Sequence, residues 1–181
     1  MMIPYVLVTG NAGKLEEARR ILGPGLEAVN LDLPEIQSLD PGEILEAKAE
    51  QAWRRIGRPV LVEETSLELA ALGGFPGPLV KWMLAAVGAA GIARTALALG
   101  DAGARARCSV LAWDGREGIA AEGVVAGRLV SPPRGEGGFG WDPIFVPEGQ
   151  ELTFAELPAA VKDGLSHRGR ALRALAARLQ I

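Results

Sequence analysis

The sequence predicts an α/β protein of one domain, residues 1–181, with a mixed β-sheet at its centre. Residues 4–63 alternate short apolar runs with helically spaced segments. The resulting β-α-β-α-β order builds parallel strands joined by crossover helices. Residues 104–113 and 119–129 are two longer strand-like runs joined at Asp114-Gly115, a hairpin signal that requires an antiparallel pair. No internal repeat and no long linker divides the chain.

The elements follow in order. Pro4 to Thr9, "PYVLVT", reads as the first strand and stops at Gly10-Asn11-Ala12-Gly13. Lys14 to Leu22 has helical spacing through Leu15, Ala18, Ile21 and Leu22. Ala28 to Leu31 is a second strand, and "LPEIQSLDP" is a loop. The next helix, Gly42 to Ile56, puts Leu45, Ala49, Ala52, Trp53 and Ile56 on one face. Pro59 to Glu63 is the third strand. "LGGFPGP" is a turn-rich loop, followed by helical stretches over Leu79 to Val87 and Ile92 to Leu99. After the hairpin comes a glycine-rich loop, "SPPRGEGGFGWDP", then Phe145-Val146, a Thr153 to Ala155 segment and a final helix over Ser166 to Leu179.

Composition narrows the classes. A hydrophobic fraction of 49% with 23% charged residues is ordinary for a soluble globular protein. A net charge of -3 gives no basic bias toward nucleic acid or an anionic membrane. Residues 84–99 are apolar but broken by Gly88, Gly91 and Arg94, so no transmembrane-length run is expected, and the expected compartment is the cytoplasm. The single cysteine, Cys108, excludes an internal disulfide and reads as a core residue. Arg173 and Arg178 read as a solvated helix face.

Four groups of residues could carry chemistry. Thr9 to Lys14 is a glycine-bearing turn into a helix, which can offer backbone amides and one lysine to a phosphate. It lacks the Walker A spacing, and an ordinary strand-to-helix turn has the same pattern. Glu63 and Glu64 stand where the third strand is expected to end, with Glu35 in a loop as a third acid. Such acids suit a hard cation, and equally a solvated sheet edge with a capped turn. Phe139 and Trp141 flank Gly140, with Asp142 next, a pattern for a base-stacking loop or for a hydrophobic plug. Lys162, His167 and Arg168 gather at the start of the last helix, whose N-cap is Ser166. Cations are disfavoured in a first helical turn unless an anion sits nearby, so this placement points to an anionic ligand, although the lone histidine equally suits a structural role. Together the four make an inventory for a nucleoside triphosphate and its magnesium.

Along nearly its whole length the chain also resembles the inosine triphosphate pyrophosphatase family. "VTGNAGKLEEARRIL", "DLPEIQ", "VLVEETSL" with "ALGGFPGPLVKWML", "GFGWDPIFVPEG", "TFAELP" and "SHRGRAL" match its motifs in order. "PGPLVKWML" and "GWDP" are similar to its eukaryotic-type branch. The resemblance implies an elongated, two-lobed α/β fold around a central mixed sheet, a cleft between the lobes, and a homodimer. It implies hydrolysis of ITP, dITP and XTP to the monophosphate and pyrophosphate, with Mg²⁺, or Mn²⁺ as the alternative. By position, Thr9, Asn11, Lys14 and Lys48 would hold phosphates, Lys14 also serving catalysis. Glu35 and Glu63 would bind the metal, joined by Glu64, which stands where the family places the acid that activates water. Phe139 and Trp141 would wall the base, and Asp142, Lys162, His167 and Arg168 would read its edge.

Three positions depart from the family pattern. Glu64 replaces the usual aspartate, and Asp163 replaces an asparagine, which is expected to put a negative charge near the base pocket. "SPPRGEGG" is richer in proline and glycine than the usual approach to the aromatic loop. The glutamate makes a second reading specific: a nucleotide-binding protein without turnover. A third reading is a pyrophosphatase for another modified nucleotide, since phosphate contacts do not choose the base.

Overall fold

The computed structural model describes residues 4–181. Its sheet begins with three short parallel strands, β1 (Val6–Val8), β2 (Ala28–Val29) and the start of β3 (Val60–Leu69). Two crossover helices connect them, α1 (Ala12–Leu22) and α2 (Pro41–Ile56). Each helix starts on a side-chain cap: Asn11 accepts from the Lys14 amide, and Asp40 accepts from the Gly42 amide ahead of a proline at the first turn. Gly57 ends α2 in the left-handed conformation. The rest of the sheet is antiparallel: β4 (Pro76–Gly77) adds to the far end of β3, and β5 (Gly103–Trp113), β6 (Gly118–Leu129) and β7 (Phe145–Pro147) follow, in the order β2-β1-β3-β5-β6-β7.

The sequence reading ended the third strand at Glu63, but β3 runs on to Leu69. A continuous ladder with β5, from Val60 opposite Trp113 to Leu69 opposite Ala104, carries the two acids through mid-strand. Pairing with a long neighbour overrides the local disfavour for adjacent glutamates. On its other edge β3 pairs with β1 only at Val60 and Leu61, and with β4 only at Leu67 and Glu68. The stretch from Glu63 to Ser66 therefore has one open edge. A cleft opens there.

Alternation sorts β3's side chains onto two faces. Leu61 joins Leu7, Cys108, Val110, Leu172 and Leu175 beneath α1 and the last helix, α5 (His167–Leu179). Val60 and Val62 pack with Leu45, Ala49 and Ala52 of α2 on the opposite face. Leu67 and Leu69 belong to a third cluster, with Ile92 and Ala96 of α3 (Val80–Ala98) and the aromatics Phe145 and Phe154. Each fully buried leucine contributes about 1.5–3 kcal/mol, so both ends of the sheet are anchored independently of the cleft between them.

By length and composition alone α3 could cross a membrane, although the sequence reading found no such run. Its backbone breaks at Gly88 (φ 69°), in keeping with two helical stretches, and Ile92, Ala93 and Ala96 pack into the protein. A short helix, α4 (Ala159–Leu165), was not anticipated; it has seven residues and no side-chain cap to announce it. The start of α5 lies flat on β6 at Gly123. A Cβ there would stand 2.2 Å from the His167 carbonyl oxygen and 2.6 Å from the Ala171 nitrogen. Glycine at 123 lets Ser166, His167 and Arg168 reach the sheet.

Candidate active site

A cavity of about 460 Å³ opens over the unpaired edge of β3. Of the residues singled out from the sequence, Thr9, Asn11, Lys14, Glu35, Lys48, Glu63, Glu64, Phe139, Trp141, Asp142, His167 and Arg168 all line it. Lys162 does not line it and lies just behind, buried.

At one end stands the turn after β1. Thr9 Oγ1 accepts from the Asn11 amide, and Asn11 Oδ1 accepts from the Lys14 amide. These side chains shape the turn and cap α1. Among the described residues the amides of Ala12 and Gly13 have no acceptor, the usual state of a helix's first turn and a fitting one for an anion. The Phe139 ring lies on Gly13, where a Cβ would come within 2.5 Å of it, so the aromatic loop reaches this turn only because residue 13 is glycine.

The middle holds the acids. Glu63 and Glu64 point to opposite faces, and each has its own cations. Glu63 is buried and meets Lys14 Nζ at 2.7 Å and Arg168 Nε at 2.9 Å. Burial alone would raise its carboxyl, but Arg168 and Lys14 outweigh that and hold it well below the usual carboxylate range. Glu64 Oε2 meets Lys48 Nζ at 2.8 Å, and Glu35 Oε1 lies 3.5 Å from the same ammonium. The Glu63 carbonyl oxygen also accepts from it, at 3.3 Å. Burial disfavours the Lys48 ammonium, yet Glu64 and Glu35 prevail and raise its pKa. Lys81 of α3, which the sequence reading did not single out, meets the other oxygen of Glu35 at 3.0 Å and lines the cavity. Its signal was present, a lone cation in the quoted "PGPLVKWML".

At the far end is a buried charge network centred on Glu17, a residue that sequence reasoning missed. Glu17 bonds Lys162 Nζ at 2.6 Å and also the Arg168 guanidinium. Lys162 bonds Asp142 Oδ2 at 2.6 Å, and that oxygen accepts from the Phe139 amide at 2.7 Å. Burial pushes Asp142 up; Glu17, which burial would also raise, is held low by Arg168 and Lys162. The clue in the sequence was a glutamate beside Ala18 on the apolar side of α1. The anion demanded by the cationic start of α5 is therefore the protein's own pair, Glu63 and Glu17. It is not a ligand, as the first-turn argument had suggested.

Trp141 is nearly enclosed. Its ring lies 5.6 Å from Phe145, 6.3 Å from Phe154 and 5.3 Å from His167, so it plugs the core while showing an edge to the cavity. Phe139 carries Lys162 at 5.0 Å and Arg168 at 5.3 Å over its ring. Asp163 does not charge the base pocket as expected, because its carboxylate is turned away and paired with Arg20 of α1. Arg173 and Arg178 are exposed, but they donate to the carbonyls of Asp163, Gly164 and Ala120, so they tie elements together as well as being solvated.

His167 Nδ1 is buried with no hydrogen-bond partner among the described residues. Burial, and then Arg168 and Lys162, lower its pKa well below 6.5 and keep the ring neutral. The unfolded chain takes up this proton first. Its contribution is thus complete above pH 6.5 and is lost as pH falls through 6.5 toward the folded value. Glu17 and Glu63, whose carboxyls drop on folding, begin to cost stability only below about 4.5. Melts between pH 7.5 and 5 are expected to show a falling Tm that His167→Gln flattens. The same slope in the variant would assign the effect to another group.

Comparison with known proteins places nearly the whole chain in one family. The model of the Ham1 family matches residues 5–178. A curated inosine triphosphate pyrophosphatase of Aspergillus oryzae is 44% identical over 173 residues, covering 93% of this chain and 90% of its own. Among solved structures, a HAM1 protein from Coxiella burnetii superposes with a TM-score of 0.83 at 28% identity, over 99% of each chain. A nucleoside-triphosphatase, a dITP/XTP pyrophosphatase, from Mycobacterium abscessus has a TM-score of 0.69 at 32% identity, over 98% of this chain and all of that one. The turn after β1, the acids of β3 and the basic start of α5 thus sit in a fold shared from end to end: the chain belongs to the Ham1 family.

Proposed function

We propose that this protein is a hydrolase that cleaves ITP, dITP and XTP to the nucleoside monophosphate and pyrophosphate. The observation that carries the reading is one cavity joining a phosphate-suited helix start, a set of acids and a buried base-reading network. The relative from Aspergillus oryzae supports it, since that protein bears the name of this activity. Cytoplasmic location and access to the nucleotide pool belong to the same reading.

The reading includes a divalent cation, Mg²⁺ or Mn²⁺. Among the described residues no three His, Cys, Asp or Glu side chains form a ready-made cage. A hard cation needs only one or two carboxylates when phosphate oxygens and water complete its shell. Glu35 and Glu64 fit that need, because both already converge, with the Glu63 carbonyl, on one ammonium. The Glu63 carboxylate is committed to Lys14 and Arg168, which makes it an orienting group for Lys14 rather than a ligand. Glu35 and Glu64 would hold the cation, which would supply charge neutralisation and polarise the phosphoryl group.

The protein's own groups do the rest. The amides of α1's first turn and Lys14 hold the phosphate chain in place. Glu64 Oε2 faces the cation position, and no donor among the described residues reaches Oε1, which is free to take a proton from an attacking water. Arg168, which lines the cavity and is oriented by Glu17, is a donor that suits the O6 of hypoxanthine or xanthine, and Lys162 behind it fixes Glu17 and Asp142. An adenine amino group would leave such donors unpaired, which is costly in a buried site. His167 stays neutral and can accept or donate at Nδ1.

A homodimer is also part of this reading. A second groove, of about 910 Å³, runs over the far face of the sheet between Glu68, Arg107 and Glu122 and the loop bearing Phe75. Phe75 is 47% and neighbouring Leu39 64% exposed, apolar area suited to burial against a second copy. The function is tested by assaying ITP, ATP and GTP with Mg²⁺ present or chelated, scoring pyrophosphate and orthophosphate separately. Metal-dependent pyrophosphate from ITP with little from ATP is expected. Binding of ITP without product would select the reading without turnover.

A further inference from the structure

We propose that Lys48 is a resident counter-ion that keeps the divalent-cation position closed until a triphosphate arrives, so that cation and nucleotide load together. The inference rests on the reading that Glu35 and Glu64 hold the cation. Lys48 Nζ sits 2.8 Å from Glu64 Oε2, 3.5 Å from Glu35 Oε1 and 3.3 Å from the Glu63 carbonyl oxygen. Those three oxygens are the ones a hard cation would use, and a Mg²⁺ needs them at about 2.0–2.1 Å. An ammonium cannot remain among them beside a second positive ion.

The displaced ammonium has poor alternatives among the protein's own groups. The one further carboxylate near it, Glu63, is already held by Lys14 and Arg168, and Lys81 is already on the second oxygen of Glu35. Moving Lys48 toward either sets like charges together. The acceptors in the turn after β1, Thr9 Oγ1 and Asn11 Oδ1, are uncharged and already hold the amides of Asn11 and Lys14. A triphosphate reverses this balance by supplying acceptor oxygens to Lys48 while adding ligands to the cation. Cation and nucleotide then raise one another's affinity by the same factor, as thermodynamic linkage requires. The chain's anchoring suits this role, since Lys48 projects from α2 beside buried Ala49 and its side chain is only 13% exposed. A short swing exchanges carboxylates for phosphate without disturbing the helix.

The test is a Mn²⁺ titration followed by EPR, first without nucleotide, on the wild type, Lys48→Gln, Lys81→Gln and Glu64→Gln. Removing Lys48 is expected to tighten nucleotide-free Mn²⁺ binding by roughly tenfold or more, because the competing charge leaves the same oxygens. Lys81→Gln removes an equal charge that touches one carboxylate only, and is expected to do much less. A non-hydrolysable ITP analogue should raise Mn²⁺ affinity strongly in the wild type and weakly in Lys48→Gln. Lys48→Met provides a second neutral side chain, and a melt of each variant checks folding. If both Lys48 variants bind Mn²⁺ no tighter than the wild type, or no tighter than Lys81→Gln, while Glu64→Gln loses it, the lock is wrong and the cation site stands. If no variant binds Mn²⁺ even with the analogue, the cation site itself is wrong and the lock falls with it.

Discussion

Glu64→Gln is expected to lower kcat for ITP by roughly 10²–10⁴-fold, the range lost with a general base, while nucleotide still binds. The amide keeps the size of the side chain and can still accept from Lys48 through its oxygen, so the cavity should hold its shape. It cannot take a proton from water, and it is a poorer ligand for a hard cation. Steady-state kinetics with a separate binding titration distinguish these outcomes: lost kcat with retained affinity supports the role. Hydrolysis at the wild-type rate would remove Glu64 from the chemistry. Glu64→Asp is the informative companion, because this chain carries glutamate where the family pattern has aspartate. Here Glu64 reaches its Lys48 partner from mid-strand, on the face opposite to Glu63. A shorter carboxylate on the same strand should retain more activity than the amide if proton transfer matters more than reach.

The largest effect on stability is expected at Arg168. Its guanidinium is fully enclosed and bonds Glu63, Glu17 and Thr65 at once. Burial opposes its charge, yet Glu63 dominates and raises its pKa further. Arg168→Met leaves two carboxylates in the interior without their shared partner, and removing one member of a buried ion pair costs about 3–5 kcal/mol. For a chain of this size that is a fall in Tm of roughly 6–20 °C. Arg168→Lys should recover little of it, because one ammonium cannot present the planar fork that spans two carboxylates and a hydroxyl. Differential scanning calorimetry reads the effect directly, and a Tm within about 2 °C of the wild type for Arg168→Met would refute the account. The variant is also expected to fail at base recognition, but the melt does not depend on that.

Much of this molecule was legible in its sequence. Alternation of apolar runs and helical spacing placed α1, α2, α5 and the β5–β6 hairpin close to where they stand, because each announces itself through local signals: apolar residues at helical spacing, Ser166 as a cap, and Asp114-Gly115 as a turn. The ordered motifs brought nearly every residue that lines the cavity to notice. Three things were beyond local reading. The length of β3 was set by ten residues of β5 that pair with it from 35 to 53 positions away, and a strand alone carries no sign of where its partner stops. The role of Glu17 depends on Lys162 and Arg168, about 145 and 151 residues distant, meeting it in a space closed to water. The convergence of Glu35, Glu64 and the Glu63 carbonyl on Lys48 needs a loop, a helix and a strand edge left open by the short β1. Sequence determined which groups were available and which local elements would carry them. Tertiary structure decided which charges met, because the energy of a buried ion pair depends on distance and desolvation, and both exist only once the chain has folded.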